Sequence, residues 1–468
     1  MAQKTPSPQA RSSSLWFDSA LLPAGWSERV RISIADGRVA RVETSCDPGL
    51  GDERHFVALP GVPNVHSHGF QRGMAGLTEV PGESANNFWS WRELMYRFVD
   101  RLQPDDLEAL TAQAYVEMLE SGTTRVGEFH YLHHAPDGRA HSNLAEMAER
   151  VVVAADTTGI GLTLLPVLYC HNGFGGVAPV EGQRRFINDP DRFGRLLEGS
   201  RAAAARLPDA NVGVAPHSLR AVTPEQLNAA VSLAGGGPIH IHAAEQVLEV
   251  TDCIAWSGQR PVEWLLEHAG VSSRWCLVHA THLSDPELQG LANSGAVAGL
   301  CPITEANLGD GIFRTQEYLA ARGQFGIGSD SNVLLDAAGE LRQLEYSQRL
   351  THRARNVLAS IAGHSTGRTL FDGALRGGTQ ALGIQAPGAA GPGLAAGCSA
   401  DIISLDHRHP ALMERRHDAL IDSWIFAAGR TAVDCVWRQG RKVVTAGRHF
   451  RREAVAARYQ QTLRSLLA

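Results

Sequence analysis

The sequence predicts an α/β protein: a parallel (β/α)8 (TIM) barrel carrying a small β-sandwich-like domain built from both chain termini. Three observations predict it. Between residue 59 and about residue 384, eight short apolar runs alternate with stretches of helical period. The flanking segments, 15–58 and 385–450, have hairpin character instead. With 468 residues, the chain has room for a barrel of roughly 250 residues and an attachment.

Each element has a local cause. Residues 1–14 form a polar, Pro/Ser-rich leader expected to be disordered. Val30-Arg31-Ile32-Ser33-Ile34 and Val39-Ala40-Arg41-Val42 flank the turn signal Asp36-Gly37 and read as a hairpin. The barrel strands are expected at 62–68, 123–131, 161–170, 212–220, 238–245, 275–283, 296–304 and 325–332. Among the helices, 105–121 starts after Pro104 and stops at Gly122, and 143–158 stops at Gly159. A Gly/Pro-rich linker at 387–393 leads to strands at 401–405, 433–437 and 443–444, which pair with the N-terminal hairpins. The expected domains are therefore a split β domain (15–58 and 385–450), the barrel (59–384) and an amphipathic C-terminal helix (451–468).

Composition narrows the function. Lys+Arg number 43 against 49 Asp+Glu, a net charge of −6 that lacks the basic footprint of a nucleic-acid binder. A small-molecule partner is expected. Lysine occurs only at Lys4 and Lys442, so the positive charge is almost all arginine, which grips carboxylates in two-pronged fashion. The seven cysteines form no CxxC pair, which argues against a disulfide framework and fits a reducing cytoplasm. No signal peptide and no apolar run of about 18 residues is present, so neither export nor membrane insertion is expected.

The strongest local motif is Pro60-Gly61-Val62-Pro63-Asn64-Val65-His66-Ser67-His68, at the end of the first barrel strand. Side chains alternate along a strand, so His66 and His68 share a face and can meet one metal ion. Alone, an HxH pair is as well read as two packed or exposed histidines. Three other strand ends carry His or acidic clusters: His240-Ile241-His242-Ala243-Ala244-Glu245, His279-Ala280-Thr281-His282 and Gly328-Ser329-Asp330. Polar residues at the C-terminal strand ends of a barrel surround one mouth. His240 is better read as packing, and His282 fits packing or support equally well. His130, His133 and His134 follow the second strand and are expected to be solvated.

On these motifs the sequence resembles the amidohydrolase superfamily over nearly its whole length. The resemblance implies His66, His68, His242 and Asp330 as ligands of one divalent metal ion. The fourth strand, Val212-Gly213-Val214-Ala215-Pro216-His217-Ser218-Leu219-Arg220, lacks the lysine that bridges two metals in the binuclear branch. Zinc suits three imidazoles and a carboxylate, with iron or manganese as other occupants, and lowers the pKa of water toward about 7. The resemblance further implies Glu245 as proton shuttle, His279 as the group that polarises the bond under attack, and Asp330 as a second catalytic carboxylate.

Longer stretches point to one branch. The segment 59–77, Phe88-Trp89-Ser90-Trp91-Arg92, Gly127-Glu128-Phe129-His130-Tyr131 and Ala215-Pro216-His217-Ser218-Leu219-Arg220 look like the formimidoylglutamate deiminases of histidine degradation. That likeness implies substrate contacts from Gln71, Arg92, Tyr131, His217 and Arg220, a dicarboxylate substrate, a cytoplasmic enzyme and a homodimer. Bidentate arginines suit two carboxylates. Two alternatives stand beside it: a mononuclear enzyme deaminating or dechlorinating a guanine-like or triazine ring, and an inactive barrel that only binds.

Overall fold

The structure, a computed structural model, describes residues 13–80, 88–359, 361–384 and 392–468. Most of the expected leader and of the 387–393 linker lies outside the described residues. The chain opens with β1 (Ser13–Leu22), β2 (Gly25–Ala35), β3 (Arg38–Glu43) and β4 (Glu53–Pro60). The strands β5 (Val62–Ser67), β6 (Thr123–His130), β7 (Gly161–Leu168), β8 (Asn211–Val212), β9 (Ala215–Pro216), β10 (Ile239–Ala243), β11 (Trp275–His279), β12 (Val297–Leu300) and β13 (Gln324–Ile327) follow. The last are β14 (Ile402–Leu405), β15 (Val433–Arg438), β16 (Arg441–Thr445) and β17 (Arg448–His449).

The middle set forms an all-parallel sheet in the order β10-β11-β12-β13-β5-β6-β7-β8, with β9 paired to β7. Parallel bridges Val214↔Ile239 and Ser218↔His242 join its ends, so the sheet closes into a barrel without free edges. The outer set forms one sheet, β17-β16-β15-β14-β4-β1-β2-β3, in which β14 from the C-terminal half lies antiparallel to β4. Neither half has a second layer of its own. The shared sheet curls over a common core that includes Leu15, Phe17, Ile32, Ile402 and Trp437.

Strands stop earlier than the apolar runs suggest. The run 296–304 yields only β12, because Pro302 opens the helix Pro302–Leu308. The run 212–220 is split at Gly213, where the Pro238 carbonyl oxygen sits 2.3 Å from the position of a would-be Cβ. A strand with a side chain there could not approach β10. The helix expected at 143–158 begins at Glu146, since Asn143 Oδ1 accepts from the Ala145 amide at 3.1 Å and holds a turn ahead of it. It ends at Gly159, whose φ of +77° continues the chain in the left-handed region.

A buried charge cluster joins barrel to terminal sheet. Asp209 pairs with Arg125 of β6 and with Arg438 of β15, and Arg438 also reaches Asp401 at 2.9 Å. Burial works against the Asp209 carboxylate, yet Arg438 and Arg125 hold it below its ordinary range. A depressed carboxyl stabilises the fold above its unfolded pKa and loses that contribution as pH falls through the acid range. Asp209→Asn leaves two buried guanidiniums undercompensated. It is expected to destabilise the protein by about 3 kcal/mol near neutral pH, measured by urea unfolding, with the difference from the parent shrinking as pH falls through the acid range.

Candidate metal centre and active-site cleft

His66, His68, His242 and Asp330 come from three strand ends and meet at one buried point. His66 Nε2 lies 3.2 Å from His68 Nε2 and 3.1 Å from His242 Nε2. Asp330 Oδ1 lies 3.3 and 3.2 Å from the Nε2 atoms of His66 and His68. The surrounding backbone decides the protonation. His68 Nδ1 donates to the Phe129 carbonyl at 2.9 Å and His242 Nδ1 to the His217 carbonyl at 3.1 Å, so their Nε2 atoms face each other as bare lone pairs.

Converging lone pairs and a carboxylate repel unless a cation sits between them. Donors about 2.0–2.1 Å from a tetrahedral ion are separated by about 3.3 Å, which is the spacing found here. The four residues fit a single metal ion. Burial also keeps two of the imidazoles unprotonated: it pushes His66 down to about 3 and His242 well below its ordinary value.

Beside this point, His279 Nε2 lies 3.8 Å from Glu245 Oε1 and 4.0 Å from Asp330 Oδ2. Burial raises the Glu245 carboxyl to about 7, partly opposed by His279 and Arg220. For His279 burial favours the neutral ring, but Glu245 and Glu305 overturn this and hold it at about 10. The backbone here is forced: Ala244, His279, Ala280 and Asp330 have φ of +51°, +66°, +49° and +44°. Such conformations persist only where surrounding structure imposes them, and they cluster at working sites.

The residues expected to contact substrate line the same cleft. Gln71, Arg92, Tyr131, His217 and Arg220 face it together with His68, His242, Glu245, His279 and Asp330. Gln71 Nε2 donates to Tyr131 Oη at 2.8 Å. Arg92 comes from the helix Phe88–Val99, its guanidinium 4.7 Å from the Trp89 ring centre and 5.6 Å from that of Tyr96. Arg220 reaches the same Trp89 ring at 5.6 Å. Among the described residues neither arginine's Nε has a hydrogen-bond partner. Two sheltered, incompletely paired cations favour an anionic guest.

The other histidines near the strand ends do not line this cleft. His130, His133 and His134, expected to be solvated, are buried instead. His133 Nε2 bonds the Val167 carbonyl and His134 Nε2 the Ile187 carbonyl, both at 2.9 Å, which ties the loop after β6 to β7 and to the chain beyond it. His240 Nε2 bonds the Ala381 carbonyl at 2.8 Å and His282 Nε2 the Asp310 carbonyl at 2.9 Å.

Sequence reasoning passed over three carboxylates that set the geometry. Glu305 Oε1 lies 3.3 Å from His279 Nδ1, orienting that ring. Glu249 accepts the amides of Ala244 and Glu245 at 3.1 and 3.2 Å and faces Arg220 Nε at 3.9 Å. Glu128 accepts the Gly69 amide at 2.6 Å and the Tyr115 hydroxyl at 3.1 Å, clamping the turn after His68. Burial raises the Glu128 carboxyl to about 7. Only Glu128, inside the segment Gly127-Glu128-Phe129-His130-Tyr131, carried a sequence signal.

Family comparison places this arrangement. The model of the amidohydrolase family matches residues 57–443. The chain belongs to the amidohydrolase family. Within it, residues 15–56 match the model described as formimidoylglutamate deiminase HutF, N-terminal domain. This amidohydrolase is 50% identical to formimidoylglutamate deiminase of Pseudomonas aeruginosa, over 97% of this chain and 100% of the relative. It is 27% identical to 8-oxoguanine deaminase of the same species, over 93% of this chain and 94% of that one. Among solved structures, an amidohydrolase from Brucella melitensis superposes with a TM-score of 0.94 at 56% identity, covering 97% of this chain and 100% of its own.

Removing one converging donor is expected to empty the centre without unfolding the barrel. His68→Ala and His242→Ala should each lower bound metal at the barrel mouth to below a tenth of an equivalent by elemental analysis, with the far-ultraviolet circular dichroism unchanged.

Proposed function

We propose that this amidohydrolase is a cytoplasmic enzyme of histidine degradation that hydrolyses the C–N bond of N-formimino-L-glutamate, releasing ammonia and N-formyl-L-glutamate. One observation carries the reading: across a single cleft from the histidine-aspartate cluster stand two sheltered arginines, Arg92 and Arg220, whose Nε atoms have no hydrogen-bond partner among the described residues. A substrate with an amidine at one end and two carboxylates at the other fits that division. The 50% identity to a formimidoylglutamate deiminase over the whole relative supports it.

His66, His68, His242 and Asp330 would hold one ion, with zinc the best match to three imidazoles and a carboxylate. When bound, the ion supplies positive charge and a water that ionises near neutral pH. Glu245 takes the proton from the attacking water and passes it to the departing nitrogen. Its carboxyl, raised to about 7, is matched to both tasks. His279, kept protonated by Glu245 and Glu305, donates a hydrogen bond where negative charge grows during attack. Asp330 Oδ2, 4.0 Å from His279 Nε2, orients the water from the opposite side.

Arg220 and Arg92 each grip one carboxylate, and Gln71, Tyr131 and His217 complete the wall between them. Attack on the formimino carbon forms one C–O bond, and collapse breaks the bond to the terminal nitrogen, which leaves as ammonia. A purine or triazine ring has no carboxylates for the arginines, so ring deamination fits this cleft less well. We assign a homodimer as the working assembly; the described residues contain no helix long and apolar enough to cross a membrane.

Incubation with N-formimino-L-glutamate should release ammonia and N-formyl-L-glutamate in equal amounts by mass spectrometry; formamide and glutamate would overturn the reading. Glu245→Gln should lower kcat by about 10³-fold while retaining metal. Arg220→Ala should raise KM by roughly 10–100-fold, the loss of a charge-assisted bond of about 1.5–3 kcal/mol, with a smaller effect on kcat. Because Glu245 must be ionised to accept a proton, kcat/KM should fall as pH drops through about 7. His279 holds its proton up to about 10, so activity should decline again only above that pH.

A further inference from the structure

We propose that the terminal β domain contains a second metal site, in which His55, Asp434 and Cys435 take up a divalent cation of the zinc class and so clasp the two ends of the chain together. The ligand atoms of the three side chains lie within 4.8 Å of one another. His55 belongs to β4 and the other two to β15, with β14 running between them.

Neighbours in a strand ordinarily point to opposite faces. Here the ladder steps from Ser404↔Cys435 to Leu405↔Val433, which leaves Asp434 as the extra residue of a β-bulge. A bulge re-aims the side chain it carries. The Asp434 carboxylate consequently meets its neighbour's thiol, with Cys435 Sγ 3.4 Å from Asp434 Oδ2.

The imidazole is prepared in the way that metal-binding histidines are. His55 Nε2 donates to Glu53 Oε1 at 3.0 Å, which leaves Nδ1 as the bare nitrogen. That nitrogen faces Asp434 Oδ2 at 3.9 Å, acceptor against acceptor. The ring is held edge-on to Trp437 at 4.6 Å and tilted against Phe17 at 5.8 Å. Lys442 is tied to Glu53, so its charge is spent outside the triad.

One nitrogen, one oxygen and one sulfur suit a borderline cation such as zinc, bound at about 2.0–2.3 Å. Closing around it requires side-chain rotations of about an ångström. The fourth position opens to solvent, since His55 and Asp434 are only half-buried. Burial pushes the free Cys435 thiol up to about 12. Uptake of the dication therefore expels the thiol proton, and thiolate and carboxylate together neutralise the ion.

Cobalt distinguishes this site from the barrel centre, whose ligands are nitrogen and oxygen alone. The chelator-treated full-length protein is titrated with Co2+. The second equivalent should bring a near-ultraviolet sulfur-to-cobalt charge-transfer band, and zinc loading should reach two equivalents. Cys435→Ser, nearly isosteric, and His55→Ala should each abolish the band and return zinc to one equivalent, with turnover within twofold of the parent. Zinc should raise the parent's melting temperature beyond the rise seen in either variant. A parent that stops at one equivalent without the band, or a band that survives Cys435→Ser, would overturn the proposal.

Discussion

Three imidazole nitrogens pointed at one spot beside a carboxylate, two of them stripped of their protons, are the constraint on which the rest of this structure depends. The tautomers of His68 and His242 are imposed by the carbonyls of Phe129 and His217, backbone groups of neighbouring strands. Repulsion between such donors must be overcome by barrel closure and by a cation. Closure is therefore as much part of the site as the ligands are. The bridge Ser218↔His242 that closes the barrel also anchors one of them.

Around that point the cleft is divided by charge. One end gathers Glu245, His279, Glu305 and Asp330, all buried; burial raises the Glu245 carboxyl, and the surrounding carboxylates hold the proton on His279. The other end presents Arg92 and Arg220 against aromatic rings. Glu249 links the two, bracing the backbone of Glu245 while facing Arg220. The acidic end and the arginine end are thus joined through a single carboxylate.

Much of the barrel was legible because its signals are local: apolar runs of strand length, Pro104 and Gly159 at helix ends, and His66 and His68 on one face of a strand. Strand ends were less legible. Runs such as 212–220 and 296–304 remain apolar after the ladder stops, since loops at the mouth are buried too, and apolarity reports burial without reporting hydrogen bonding. Burial also explains the misreading of His130, His133 and His134; the rings of His133 and His134 find backbone carbonyls that no nearby sequence betrays.

By itself the sequence determined the order of strands and helices, the shortage of lysine that leaves arginine to carry positive charge, and the histidines and acids at successive strand ends. Those properties follow from side-chain period and composition, which are read one neighbour at a time. Only the tertiary structure decided which of these groups meet. Glu305 and His279 meet across 26 positions, Arg220 and Glu249 across the helix Pro224–Leu233 and β10, and His55 and Cys435 across a third strand. Distances of a few ångströms between such residues are set by how sheets close and bulge, a property of the whole chain that no local pattern encodes.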